Sequence, residues 1–194
     1  MKTQRKARPS GALETSASDA LLFSQLAAGD VGALGALYDR HFAAVQRFVT
    51  RATSGAEDVD DVAQNVFLIA AKLAPRYDGR TSARPWLLGI AGRLIQRRGR
   101  RLGQMARLLG QWAMVCRPSL EPQRQLEARN ALDRVQAALA RMSLAKRLVV
   151  LMSEVEGMTG PEIAAALQIP LGTVWTRLHA ARRELRASIE PEEP

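Results

Sequence analysis

Residues 157–185 read GMTGPEIAAALQIPLGTVWTRLHAARREL, which has the features of two short helices joined by a tight turn. Thr159 is a good helix cap, Pro161 suits a first turn, and Glu162 completes a capping box. The first helix is predicted to end before the QIP at 168–170, and a second, basic helix to run over 174–186. This arrangement is typical of a helix-turn-helix that docks in the major groove of DNA.

The second helix of this motif divides into an apolar stripe and an exposed basic face. Apolar residues recur at helical spacing and are predicted to pack inward: Val174, Leu178, Ala181 and Leu185. The remaining residues near its N-terminus are candidates for reading base edges: Thr173, Trp175, Thr176, Arg177, His179 and Ala180. Three arginines beyond them are placed to bind phosphates: Arg182, Arg183 and Arg186. The alternative interpretation is that these arginines only solvate a helix face.

The whole chain is helical in its spacing and rich in arginine. It has 194 residues, with 28 Lys and Arg against 19 Asp and Glu, and 24 of the 28 cations are arginine. The net charge of +9 favours a polyanionic partner, because arginine presents a planar fork to phosphates and guanine edges. A helical apolar stripe is formed by Val62, Val66, Ile69 and Leu73, and no stretch alternates convincingly with period two. We therefore predict an all-α fold.

Composition and prolines divide the chain into two helical blocks. Residues 1–18 mix Lys, Arg, Ser, Gly and Pro without periodicity, which predicts a disordered basic tail. The first block covers 19–108 and the second covers 126–189. Between them, Pro118 and Pro122 argue against a continuous helix, so 109–125 is predicted to be a flexible linker. Residues 190–194 form an acidic tail, and the chain is predicted to contain two small helical domains.

Residues 76–107 carry nine arginines and a single acid, Asp78. The segment starts as a loop and is predicted to become a helix near Pro85, with Leu87, Ile90 and Leu94 packing inward. A helix this cationic repels itself in isolation, so we expect an anionic partner against it. Nucleic acid is the first candidate, and an acidic protein surface is the second. A membrane is the third, because the apolar face of this helix is needed for the core.

Several other classes of site are not supported by the sequence. Four acids at the start of the preceding helix, Glu57, Asp58, Asp60 and Asp61, suit the positive end of a helix dipole better than a metal or acid/base site. With one cysteine and two histidines, no metal site and no cofactor are predicted. No phosphate loop or nucleophile arrangement is present, so we do not expect an enzyme. Since no signal peptide or membrane-spanning segment is recognisable, a cytoplasmic location is expected.

Together, these blocks resemble a bacterial RNA polymerase sigma factor of the extracytoplasmic-function (ECF) subfamily. The resemblance to region 2 of that family lies in ALYDRHFAAVQRFVTR (36–51), DDVAQNVFLIAAKL (60–73) and WLLGIAGRLIQRRGRR (86–101). The resemblance to region 4 lies in VVLMSEVEGMTGPEIAAALQIPLGTVWTRLHAARREL (149–185). It implies a region 2 helical bundle over 19–108 and a region 4 helix-turn-helix over 126–189. The implied function is to bind core RNA polymerase, direct it to −10 and −35 promoter elements and aid promoter melting.

The resemblance also implies roles for particular residues. The residues that would bind polymerase are Asp61, Gln64, Asn65 and Phe67. The opened −10 strand would be captured and held by Asp78, Arg80, Arg84, Trp86, Arg93, Arg97, Arg100 and Arg101. The −35 element would be read by Thr173, Trp175, Thr176, Arg177, His179, Ala180, Arg182 and Arg183. Trp175 stands where the family usually has Lys or Arg.

The implied partners are core polymerase, promoter DNA and an anti-sigma factor, and two other functional classes stay open. A stand-alone helix-turn-helix regulator would explain the second block, and it would usually dimerise on a palindromic site. It would leave the acidic helix and the arginine-rich helix unexplained. A nuclease would need a recognisable pair of catalytic carboxylates, which the sequence does not present.

Overall fold

The computed structural model describes residues 11–55, 58–79, 82–110 and 131–189. Within these ranges the chain forms eight α-helices and no strand, which confirms the all-α prediction. The first four helices are α1 (Gly11–Ala27), α2 (Val31–Thr53), α3 (Val59–Leu73) and α4 (Ala83–Gly110). The others are α5 (Ala131–Arg141), α6 (Leu144–Val150), α7 (Gly160–Leu167) and α8 (Leu171–Ile189). A 3-10 turn (Ala74–Arg76) follows α3, and a π-helical turn (Leu151–Val155) follows α6.

Three of the predicted segments fall wholly or partly outside the described residues. The structure describes α1 from Gly11 onward, so the segment 1–18, predicted to be a disordered tail, overlaps this helix over 11–18 and lies outside the described residues over 1–10. The helix α4 continues to Gly110, two residues into the predicted linker, and the rest of that linker lies outside the described residues. The acidic tail 190–194 also lies outside them. None of the described helices is long and apolar enough to cross a membrane.

The acidic start of α3 is a helix cap. The Asp58 side chain accepts a hydrogen bond from the backbone N–H of Asp61 at 3.2 Å, and Asp60 accepts one from the Gln46 amide at 2.7 Å. The Asp58 contact agrees with the helix-terminus interpretation of the acids, and Glu57 lies outside the described residues. The predicted stripe of α3 faces the core, with Val62 fully buried and Ile69 half-buried.

A buried aspartate joins α1 to α2. Asp19 is 1% exposed, and its carboxylate accepts hydrogen bonds from Arg40 and from His41 Nε2, the latter at 2.9 Å. An unpaired carboxylate at this buried position would cost several kcal/mol of folding free energy. The hydrogen bonds from Arg40 and His41 therefore fix the position of α1 against α2. Phe23, one turn along α1, then packs against Tyr77 and Trp86 at the start of the arginine-rich segment.

His41 is expected to make stability depend on pH. Burial lowers the pKa of His41 despite the opposing charge of Asp19, and Arg40 and Arg84 add to the lowering. The unfolded chain then binds a proton more readily than the folded chain does. The neutral His41 side chain therefore contributes fully to stability at pH values above the ordinary histidine pKa, and this contribution is lost as the pH falls through the pKa of the folded state. Measured by urea unfolding, His41→Asn should flatten the fall in stability between about pH 7.5 and pH 5.5. The exposed His179→Asn should leave it unchanged, and equal slopes in both variants would contradict the prediction.

The helix-turn-helix is present as predicted, with small shifts at its ends. Thr159 and Glu162 form the capping box, with the Thr159 backbone N–H donating to the Glu162 carboxylate at 2.7 Å. Gln168 ends α7 in the left-handed conformation, at φ 56°. The helix α8 begins at Leu171, earlier than the predicted Val174, because the Pro170 carbonyl accepts hydrogen bonds from the N–H groups of Thr173 and Val174. Its predicted inner stripe is buried at Val174, Leu178 and Ala181 and half-buried at Leu185.

One hydrophobic core runs through two helical groups, of which the first comprises α1 to α4 and the second comprises α5 to α8. All six residues of LLGIAG, 87–92, are buried, because α4 packs on α2 and α3 with one side and on α7 with the other. A Cβ on Gly89 would lie 2.8 Å from the Ala166 carbonyl oxygen, and one on Gly92 would lie 2.8 Å from Leu167 Cδ2. Gly89 therefore permits a close backbone approach that a larger residue would obstruct, whereas a larger residue at Gly92 would require the Leu167 side chain to shift. The two blocks predicted from the sequence meet along this interface, which we call the α4–α7 seam.

Candidate polymerase and nucleic-acid interfaces

One side of α3 presents polar groups and one exposed leucine. Asp61 and Gln64 are exposed, and Asn65 is half-buried and donates to the Asp61 carbonyl at 2.8 Å. Arg98 of α4 donates to the Asp61 carboxylate at 2.7 Å, which fixes that side chain. Leu68 follows Asp61 by seven residues on the same side and is 56% exposed. We call Asp61, Gln64 and Leu68 the α3 face.

Phe67 does not lie on the α3 face. It is 2% exposed, and its ring packs against those of Tyr38 and Phe42, with centroids 5.0 Å and 6.4 Å away. Sequence reasoning missed Leu68, although the spacing held a signal for it. Since Val62, Val66 and Ala63 face inward, the helical period turns Phe67 towards the core and Leu68 away from it.

The loop and aromatic residues before α4 form a small cluster. Trp86 is half-buried and packs edge-on against Phe23 and Tyr77, with centroids 5.0 Å and 5.3 Å away. Burial raises the pKa of Tyr77 to about 12, helped by the negative charges of Asp19 and Asp78, so its phenol stays neutral. Asp78 is exposed, and Arg80 lies outside the described residues. The ring of Trp86 is thus held by contacts within the fold and is partly open to solvent.

Two of the predicted −10 arginines contact the second helical group. Arg93 is half-buried and donates to the Ala166 carbonyl at the end of α7, while burial and neighbouring Arg97 lower its pKa. Arg84 forms an ion pair with Glu156, which follows the π-helical turn. Both side chains are therefore engaged by the second group in this structure.

Three further arginines of α4 remain exposed: Arg97, Arg100 and Arg101. They make no ion pair within the part of the chain that the structure describes, and we call them the α4 arginines. Arg100 also lines a cleft of about 610 Å³ between α4 and the second group, and Arg177 of α8 lines its other wall. One residue predicted for the −10 element and one predicted for the −35 element thus line the same cleft, whose other lining residues are uncharged.

The predicted −35 residues share the outer side of α8, which we call the α8 face. Trp175, Thr176, His179, Arg182 and Arg183 are exposed, while Thr173, Arg177 and Ala180 are half-buried. Thr176 Oγ1 donates to the Gly172 carbonyl at 2.9 Å. Arg182 donates from Nε and Nη2 to one oxygen of Glu154, at 3.0 and 2.7 Å, so part of its charge is already neutralised.

No cluster of three or more His, Cys, Asp or Glu side chains able to hold a metal ion occurs among the described residues.

Two family profiles match the chain in the predicted order. The profile for sigma-70 region 2 matches residues 37–104, and the profile for sigma-70 region 4 matches residues 132–185. Among curated proteins, the ECF RNA polymerase sigma factor SigL of Mycobacterium tuberculosis is 34% identical over 171 residues, covering 86% of this chain and 94% of SigL. The RNA polymerase sigma factor CnrH of Cupriavidus metallidurans is 30% identical over 183 residues, covering 90% of this chain and 96% of CnrH.

Solved structures of similar proteins share the fold. CnrH in complex with the cytosolic domain of CnrY matches with a TM-score of 0.63 and 26% identity, over 91% of this chain and 99% of that one. The sigma factor RpoE of Bartonella quintana, in complex with the anti-sigma factor NepR, matches with a TM-score of 0.61. It is 17% identical and covers 82% of this chain and 98% of its own, so it supports the fold alone.

Proposed function

Since the chain belongs to the ECF sigma factors of bacterial RNA polymerase, which start transcription at promoters, we propose a separate task for each of its three surfaces. The α3 face binds core polymerase, the α4 arginines hold the opened −10 strand, and the α8 face reads the −35 element. The chain supplies recognition and positioning, and the polymerase supplies the chemistry.

The observation that carries this proposal is the exposure of the α4 arginines without an acidic partner in the described chain. Like charges on one helix face raise its energy, and a phosphate backbone relieves that repulsion while releasing counterions. A stand-alone regulator would have no use for this surface or for the α3 face. No observation favours that alternative, and the matched profiles cover both helical groups.

The salt dependence of strand binding tests the role of the α4 arginines. The double variant Arg97→Gln/Arg101→Gln should weaken binding of the polymerase complex to a single-stranded −10 oligonucleotide. It should also flatten the slope of log affinity against log salt by about 0.7 for each lost phosphate contact. The matched control is Arg47→Gln/Arg51→Gln, which removes two exposed arginines from α2. An unchanged slope in the α4 variant would mean that these arginines do not bind the strand.

We extend the proposal to an anti-sigma partner in the cytoplasm, where polymerase and promoter DNA are found. Support comes from two similar proteins whose structures were solved with such a partner, the cytosolic domain of CnrY and the anti-sigma factor NepR. A partner of this kind would have to compete with polymerase or DNA for the surfaces described above. Its acidic groups would find cationic partners in the cleft between Arg100 and Arg177.

A further inference from the structure

Trp175 is the largest exposed apolar side chain on the α8 face, and its ring lies against Gly160. The side chain is 51% exposed. A Cβ on Gly160 would lie 2.5 Å from Cζ2 and 2.6 Å from Cη2 of the indole, distances that real Cβ contacts do not reach. Only glycine at the first residue of α7 therefore leaves room for the ring. One edge of the indole is supported, and the rest faces solvent.

The indole has a limited set of contacts to offer DNA. Its N–H makes no hydrogen bond within the described chain, so Trp175 presents one donor, an apolar surface and no acceptor. In the major groove, thymine shows a C5 methyl and an acceptor, whereas cytosine shows an amino donor. The exposed side chain thus complements thymine and offers nothing to the cytosine amino group.

We propose that Trp175, positioned by Gly160, determines specificity in the −35 element by selecting thymine through its methyl group. The inference rests on the proposed function, in which the α8 face reads duplex DNA. Trp175 touches the base, and Gly160 is a positioning residue that touches only the ring. An arginine at position 175 would instead favour the acceptors of guanine.

The test compares thymine with uracil, which differ in the major groove only by the methyl group. Promoter duplexes are first selected from a randomised −35 library with the chain bound to core polymerase. Each thymine of the selected site is then replaced with uracil. The wild-type chain should lose about fourfold in affinity at one position, the worth of one buried methyl group. Trp175→Ala should lose this thymine preference, and Trp175→Phe, which keeps an apolar ring, should retain part of it.

Gly160→Ala tests the positioning role and has a matched control. It should displace the ring and reduce the thymine preference while leaving polymerase binding intact. Gly172→Ala, where a Cβ would meet nothing within 4 Å, should behave as wild type. A Trp175→Ala chain that keeps the full thymine preference would overturn the proposal, even if Gly160→Ala fails to fold. Failure of the wild-type chain to select any sequence would instead count against the proposed function.

Discussion

Replacing Arg147 with methionine is expected to lower the free energy of unfolding by about 3 kcal/mol. Arg147 is 9% exposed, and it donates to the Ala52 carbonyl and Ser54 Oγ, both at 2.9 Å. It also donates to the carbonyls of Ala140 and Met142, at 2.8 and 3.0 Å. One guanidinium thus donates hydrogen bonds to polar groups at the C-terminal ends of both α2 and α5. A positive charge at these ends also interacts favourably with the helix dipoles.

Burial of the charge works against these hydrogen bonds. It lowers the pKa of Arg147, which is a sign that desolvation opposes the charged form. The net loss on removal is therefore smaller than the sum of four hydrogen bonds, and methionine restores some apolar packing. Chemical unfolding measures the free energy of unfolding of Arg147→Met. The control is Arg141→Met, which replaces an exposed arginine nearby. A loss below about 1 kcal/mol for Arg147→Met would show that water satisfies the helix ends equally well.

Replacing Leu68 with aspartate is expected to weaken binding to core polymerase by about a hundredfold without loss of stability. Leu68 is 56% exposed beside Asp61 and Gln64 on the α3 face, and a charge there would have to be desolvated when polymerase binds. Competition binding of labelled core measures the affinity. The matched control is Leu21→Asp, on α1, since Leu21 is exposed to a similar extent, 59%.

Phe67→Ala serves as the contrasting variant for the α3 face. Because the Phe67 ring lies in the core, its removal should cost about 3–5 kcal/mol of stability. Normal polymerase affinity in Leu68→Asp would contradict the assignment of the α3 face. If Phe67→Ala folds normally and has a selectively reduced affinity for polymerase, Phe67 itself contacts polymerase.

Local patterns in the sequence predict much of this fold. The capping box at Thr159 and Glu162, the apolar stripe of α8 and the capped start of α3 all depend on residues within a few positions of one another. Each of these signals stabilises its helix through neighbouring residues alone. The predicted helix-turn-helix and the predicted helical class are therefore confirmed. The end of α1 nearest the N-terminus is an exception, because its composition is also compatible with disorder.

Contacts between distant segments could not be predicted in the same way. The glycines of LLGIAG are compatible with any helix surface, and nothing local indicates that Ala166 lies against Gly89. In the sequence, nothing distinguishes Arg147 from the other basic residues. Its four hydrogen-bond acceptors nevertheless come from segments up to 95 residues away. Likewise, the exposure of Trp175 follows from helical spacing, while its support by Gly160 depends on how α7 meets α8.

The most direct measurement is run-off transcription by core RNA polymerase, with and without this chain, from a library of promoter fragments. The account predicts transcripts that require the chain and that start from a subset of fragments sharing two upstream elements. Leu68→Asp should abolish these transcripts, and Leu21→Asp should not. No association with core polymerase, together with sequence-specific duplex binding by the free chain, would contradict the account and favour a stand-alone regulator.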